Sequence, residues 1–232
     1  MLSRWLPLPV RPVELRLLWP FLLLATAAWA FLEVAEEVLE GEANRVDMWV
    51  LALFRVAGQP DMPVGPAWFQ EAMRDVTALG STVVLTLTVI AVWGFLALAG
   101  QWRTAWFAAL AAVGGSLLSQ TLKWGFSRAR PDEVYHATVV MGYSFPSGHA
   151  MMSTVVFLTL AALVARLLPS TRLRLYAVGV ALVASGLVGV SRVYLGVHWA
   201  SDVAAGWAAG TAWALLCWLG AERMRLGRRD HA

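Results

Sequence analysis

The sequence predicts an all-α, polytopic membrane protein with six transmembrane helices and short amphipathic interfacial helices in the first outer loop. Three observations carry that reading. The 232-residue chain is 59% hydrophobic and only 14% charged, with a mean hydropathy of +0.63, well outside the balance of a water-soluble domain. Charge-poor runs recur at 17–32, 82–99, 105–122, 150–164, 176–190 and 203–219, each near the roughly 20 residues that cross a hydrocarbon core. Arg and Lys also sort to one side of those runs. With a cytoplasmic N-terminus the inner side holds Arg4, Arg11, Arg16, Arg103, Arg166, Arg172, Arg174, Arg223, Arg225, Arg228 and Arg229. Outside three polar clusters described below, the outer side holds only Arg45, Arg55 and Arg74, which is the asymmetry of the positive-inside rule.

The first run follows three arginines and contains Ala28-Trp29-Ala30, a small-residue pattern that a signal peptidase accepts. Phe31 and Leu32 continue the apolar run past that point, so the segment reads as an uncleaved helix. Segment 33–76 opens acidic (Glu33, Glu36, Glu37, Glu40, Glu42, Asp47) and is interrupted by Pro60, Pro63 and Pro66. Val46, Val50, Leu53 and Ala57 keep helical spacing, as do Phe69, Met73 and Val76. Two amphipathic helices at the outer interface, joined by a Pro-rich loop, fit that pattern. The remaining five runs follow, and 223–232 reads as a short basic cytoplasmic tail without fixed structure. The whole chain, 1–232, reads as one membrane-embedded domain, with no repeat, low-complexity tract or soluble second domain.

Composition excludes several function classes. A formal charge of +3 spread among apolar runs is not the concentrated basic face of a nucleic-acid binder. The single cysteine, Cys217, rules out an intramolecular disulfide or a Cys-based metal site.

Three polar clusters interrupt the apolar pattern: Lys123 to Arg130-Pro131, Pro146-Ser147-Gly148-His149, and Ser191-Arg192 to His198 and Asp202. Charged groups at membrane depth cost several kcal/mol, so such residues are functional candidates. All three clusters fall on the outer side. Two histidines and an aspartate could ligate a divalent cation, but Lys123, Arg130 and Arg192 would converge there and repel it. Three fixed cations select an anion, and arginine's forked donors suit phosphate oxygens. Ser147 and Gly148 stand at the expected start of the fourth span, where free backbone N–H groups also favour an anion. His198 and Asp202 are four apart, on one face of a helical turn. A carboxylate there fixes the imidazole tautomer and leaves the other nitrogen to attack phosphorus. His149, from a different loop, can protonate the leaving oxygen. No metal or other cofactor is expected.

Other polar residues carry plainer readings. Arg128 reads as a solvated loop charge, as do Asp132 and Glu133. Tyr194 and Trp199 read as interfacial anchors. His136 and His231 lie outside the clusters and take no role.

On these residues the sequence resembles the type-2 phosphatidic acid phosphatase superfamily, the lipid phosphate phosphatases, in its integral membrane branch. That family's signature is Lys-x6-Arg-Pro, then Pro-Ser-Gly-His, then Ser-Arg-x5-His-x3-Asp, and all three parts match without departure. The matching region with its helices covers about 75–219, and the first seventy or so residues carry no signature. The resemblance implies four helices around a phosphate site and metal-independent hydrolysis through a phosphohistidine. It implies that Lys123, Arg130 and Arg192 bind phosphate with help from Ser147 and Gly148. It implies His149 as acid, His198 as nucleophile and Asp202 as its orienting partner. The expected substrate is a phosphorylated membrane lipid: phosphatidate, phosphatidylglycerophosphate or a polyprenyl diphosphate, reached from the bilayer at the outer face of a bacterial inner membrane. Two other classes stay open at this level: a non-catalytic anion or lipid binder or transporter, and a vanadate-dependent haloperoxidase, whose signature is similar.

Overall fold

In the computed structural model the backbone is described for residues 12–229 and the side chains for 18–223. Apolar content and end-capping together set the helices. Helix α1 (Pro12–Glu40) begins on a proline, whose missing N–H costs nothing in a first turn. It runs two turns beyond the expected end near residue 32, absorbing the first acidic residues of the supposed interfacial segment. The reason is amphipathicity: Glu33, Glu36, Glu37 and Glu40 are exposed, while Phe31, Val34, Ala35 and Val38 pack on Phe145 and Ala205.

Two short helices follow, as expected: α2 (Ala43–Leu53) and α3 (Ala67–Ala78). The segment between them is not a plain loop. Strands β1 (Arg55–Val56) and β2 (Gln59–Pro63) pair antiparallel, and a two-stranded ribbon accommodates Pro60 and Pro63 because each strand has a free edge. Helix α2 buries Ala43, Asp47 and Leu51 and turns Val46, Trp49 and Leu53 outward. Helix α3 instead sends Phe69 and Met73 inward onto Tyr194.

The bundle begins with α1, α4 (Thr82–Leu98), α5 (Trp102–Phe126) and α6 (Gly148–Ala165). Helix α7 (Thr171–Tyr194) and α8 (Ala200–Arg229) complete the bundle. Ser81, Ser147 and Ser170 cap α4, α6 and α7 by accepting from the backbone N–H three residues on. Among the described residues five helices are long and apolar enough to cross a membrane; α4, at 17 residues, joins α3 across a 45° bend to make the sixth candidate. The basic end is helical through Arg229, in contrast to the unstructured tail expected from 223. His231 lies outside the described residues.

Successive spans alternate in direction. The C-termini of α5 and α7 and the N-termini of α6 and α8 therefore share one end of the bundle, and the polar clusters meet there. Arg103, Arg166, Arg172, Arg174 and Arg223 occupy the opposite end, where Arg166 pairs with Glu222 at 3.2 Å. Helix α8 packs closely on α6 because Gly206 and Gly210 present no side chain. A Cβ on Gly206 would lie 2.8 Å from the Ser147 carbonyl oxygen, and one on Gly210 2.6 Å from that of Met151. That approach sets the spacing between the starts of the two helices, and hence between His149 and His198.

Candidate active site

The αL conformation of Ser127 (φ 47°) ends α5 just past Lys123 and releases the chain into the loop that carries Arg128 and Arg130. This loop closes where Ser144 N–H donates to the Arg128 carbonyl (2.9 Å). Lys123 Nζ donates to the Tyr143 carbonyl (2.7 Å). Arg130 donates Nε to Gly142 O (2.9 Å), Nη2 to Met141 O (3.1 Å) and Nη1 to Val197 O (2.7 Å). Carbonyls on two loops thus aim its guanidinium at the site.

Arg192, on the last turn of α7, is 4% exposed. Its Nη1 donates to Thr77 Oγ1 (3.1 Å), and its buried Nε–H meets no acceptor among the described residues. An unpaired buried donor on a cation is costly, and an anion oxygen supplies the missing acceptor. Lys123, Arg130, Gly148, His149, Arg192 and His198 line one cavity of about 840 Å³. From these groups the cavity continues between α4 and α5 along Leu85, Ile90, Val113 and Trp106. One end is cationic and the rest is largely apolar.

Ser147 and Asp202 stand behind that wall. Ser147 Oγ is used as the cap of α6, and its N–H donates to the Asp202 carbonyl (2.9 Å). Asp202 Oδ2 accepts from Trp199 N–H (2.9 Å) and the Ser144 hydroxyl, and faces His198 Nδ1 at 3.2 Å. On the other side of the ring, Arg130 Nη1 lies 3.1 Å from His198 Nε2. A guanidinium only donates, so Nε2 is the acceptor and the proton sits on Nδ1, facing Asp202. Burial pushes the His198 imidazole well below its ordinary pKa; Asp202 pulls it upward and Arg192 and Arg130 push it further down. The ring is therefore neutral near pH 7, with a bare Nε2 directed at the cations.

Three readings from sequence need correction. Arg128 is not a solvated charge: it pairs with Asp47 (2.7 Å) and Asp202 (2.8 Å), and only 11% of its side chain is exposed. Tyr194 is fully buried, donates its hydroxyl to Val64 O (2.7 Å) and stacks edgewise on Phe54 and Phe69. Trp199 is more than an interfacial anchor: it is half-buried and its indole N–H donates to Ala129 O (3.1 Å). Asp132 and Glu133 are exposed as expected, and His136 Nε2 donates to the Pro131 carbonyl (2.9 Å).

Asp47, Ser144, Ser201 and Thr77 contribute to the site and were not singled out by the sequence reading. Asp47 is one carboxylate in an acidic stretch, and no spacing rule connects it to residues some 80 and 155 positions away. The one available signal is that it falls on the same helical stripe as Ala43 and Leu51.

The chain is similar to known proteins in sequence and in fold. The model of the PAP2 superfamily matches residues 104–225. Phosphatidylglycerophosphatase B of Bacillus subtilis is 36% identical over 151 residues, which cover 62% of this chain and 70% of that protein. An undecaprenyl-diphosphatase of Sulfolobus acidocaldarius is 34% identical over 100 residues, covering 41% of this chain and 44% of its own length. Among solved structures, a transmembrane PAP2-type phosphatidylglycerolphosphate phosphatase from Bacillus subtilis superposes with a TM-score of 0.77 at 26% identity, covering 86% of this chain and 96% of that one. LpxE of Aquifex aeolicus, at 20% identity and a TM-score of 0.56 over 74% and 94% of the two chains, shares the fold.

Proposed function

Because this chain belongs to the PAP2 superfamily and is an integral membrane lipid phosphatase, we propose that it cleaves the terminal phosphate of a membrane lipid through a phosphohistidine, without a metal. The observation that carries this reading is the cavity itself: a phosphate-sized group of cations, one with an unpartnered buried N–H, at the mouth of a long apolar wall. A lipid can keep its chain in the bilayer and along that wall while its phosphate reaches the cations.

In the first step Lys123, Arg130 and Arg192 hold the non-bridging oxygens, and the Gly148 backbone at the start of α6 lies beside them. Ser147, as the α6 cap, fixes the position of that backbone. His198 Nε2 attacks phosphorus as the bond to the lipid oxygen breaks, and His149 gives its proton to that oxygen. Asp202 accepts from Nδ1–H throughout and offsets the positive charge on the phosphorylated ring. In the second step His149 takes a proton from water, the water oxygen bonds to phosphorus, and the P–Nε2 bond breaks. Inorganic phosphate leaves with His198 restored.

The relatives' names support a phosphatidylglycerophosphate or a polyprenyl diphosphate as substrate, and phosphatidate presents the same terminal phosphate. Eleven cationic side chains against three, counted outside the clusters, support an outward-facing site with both termini cytoplasmic, as in a bacterial inner membrane. Phosphate release from these three lipids in detergent tests the proposal. The wild-type protein should turn over at least one of them with undiminished rate in EDTA. His198→Ala should release none while remaining folded. Activity of His198→Ala near the wild-type level, or activity lost in EDTA and restored by Mg²⁺ or Zn²⁺, would overturn the mechanism.

A further inference from the structure

Asp202 has two carboxylate oxygens, and the mechanism uses one. Oδ2 serves His198, Trp199 N–H and Ser144. Oδ1 accepts from Arg128 Nη1 at 2.8 Å. The same guanidinium reaches the other way: Nη2 donates to Asp47 Oδ2 (2.7 Å) and to Asn44 Oδ1 (3.2 Å). Asp47 is 1% exposed and Asp202 0%, so one cation bridges two carboxylates withdrawn from water. Asp47 is held in turn by α8, accepting from Ser201 N–H (2.8 Å) and Ser201 Oγ–H (2.5 Å). It thereby fills one of the open donors in the first turn of the helix that carries Asp202.

We propose that Arg128, anchored by Asp47 of helix α2, is a positioning residue that fixes the Asp202 carboxylate and through it the Nδ1–H tautomer of His198. The inference rests on the phosphatase reading of this site and adds Arg128 of the first polar cluster and, from outside the clusters, Asp47. The physical argument is rotational. A carboxylate bonded along one edge can swing about its Cβ–Cγ bond, and one bonded at both oxygens cannot. Arg128 closes the second edge and neutralises charge that would otherwise sit buried beside His198. Only a planar fork spans both carboxylates at once, so lysine is not an equivalent residue here. Arg128 is absent from the cavity wall. Because α2 shows Val46, Trp49 and Leu53 on its outer side, the bracket also ties the Asp202 carboxylate to a helix with an exposed apolar face.

Steady-state kinetics in detergent and ¹⁵N-histidine NMR of Arg128→Gln, Arg128→Lys and Asp47→Asn test this. Arg128→Gln should lower kcat by on the order of 10–100-fold, the range seen when an outer partner of a catalytic group is removed, with KM changed by less than about 2-fold. Arg128→Lys should recover part of that loss, and Asp47→Asn should show a smaller fall. The His198 resonances should change from one Nδ1–H tautomer to a mixture in Arg128→Gln. An unchanged kcat, or a fall in kcat with the His198 tautomer intact, would overturn the proposal and leave Arg128 as a structural clamp only. If Arg128→Gln does not fold, Arg128→Lys and Asp47→Asn decide by the same two readouts. If the wild-type protein releases phosphate from no lipid, the phosphatase reading falls, and the NMR measurement still decides whether Arg128 sets the tautomer.

Discussion

The cavity wall and the cap above it both bury arginine, and they use it in opposite ways. In the wall, Arg192 and Arg130 turn toward an open space, and one donor of Arg192 is left unpaired. In the cap, Arg55 and Arg128 lie away from that cavity and donate to the protein, although the Nε–H of Arg55 also meets no acceptor among the described residues. Arg55 donates to the carbonyls of Phe54 (2.9 Å), Tyr194 (2.9 Å) and Tyr135 (2.7 Å), and Arg128 bridges Asp47 and Asp202. On the proposed function, the same residue type is thus a phosphate-binding group in one place and a clamp in the other. Neither burial nor a single unpaired donor distinguishes them; a place on the cavity wall does.

That contrast makes quantitative predictions. The largest effect belongs to the group behind the wall that orients the nucleophile. Asp202→Asn should reduce kcat by on the order of 10²–10⁴, as loss of a tautomer-fixing carboxylate does in hydrolytic triads, measured as phosphate release from the preferred lipid. Next comes a wall cation: Arg192→Gln should cost on the order of 10²–10³ in kcat/KM, the range for removing one preorganised donor to a developing charge. The melting temperature in detergent should scarcely move, or should rise, because an unpaired buried donor disappears.

The cap cation should behave in reverse. Arg55→Met should destabilise the fold by about 2–4 kcal/mol, leaving carbonyls unsatisfied where three lines of chain meet. Thermal unfolding in detergent reports this, and the molecules that remain folded should keep most of their kcat. Equal effects of Arg192→Gln and Arg55→Met on both stability and turnover would erase the distinction. The smallest effect is expected where both regions end: Asp132→Asn with Glu133→Gln, both exposed, should change stability by no more than about 0.5 kcal/mol and leave turnover unchanged.

Gly196 shows how tightly the cap is built. It has φ 72°, and a Cβ there would run into the Tyr135 carbonyl and the Arg55 guanidinium. The turn between α7 and His198 can therefore be made only with glycine at this point. It is one of the five positions between Arg192 and His198 that the spacing leaves unspecified.

Much of the molecule was legible before any coordinates. Span positions followed from hydropathy, because a bilayer demands long runs with few charges. The wall residues followed from polar groups set at fixed spacings beside those runs, since no apolar helix keeps them without a use. Where the reading went astray, the reason was a contact at long range. The acidic end of α1 stayed helical because its apolar stripe met Phe145 and Ala205. Tyr194 left the interface because α3 folded Phe69 back over it.

By itself, then, the sequence determined that this is a membrane helical bundle, which end carries the polar chemistry, and that three cations and a His–Asp pair make up its core. Those are properties of composition and local period, set by the cost of charge in lipid and by the 3.6-residue turn. Tertiary structure alone decided which nitrogen of His198 is bare, which arginines remain available to a phosphate, and that Asp47 and Arg128 stand behind Asp202. Each of these depends on whether a donor finds an acceptor across tens to more than a hundred residues, and no local pattern encodes such a meeting.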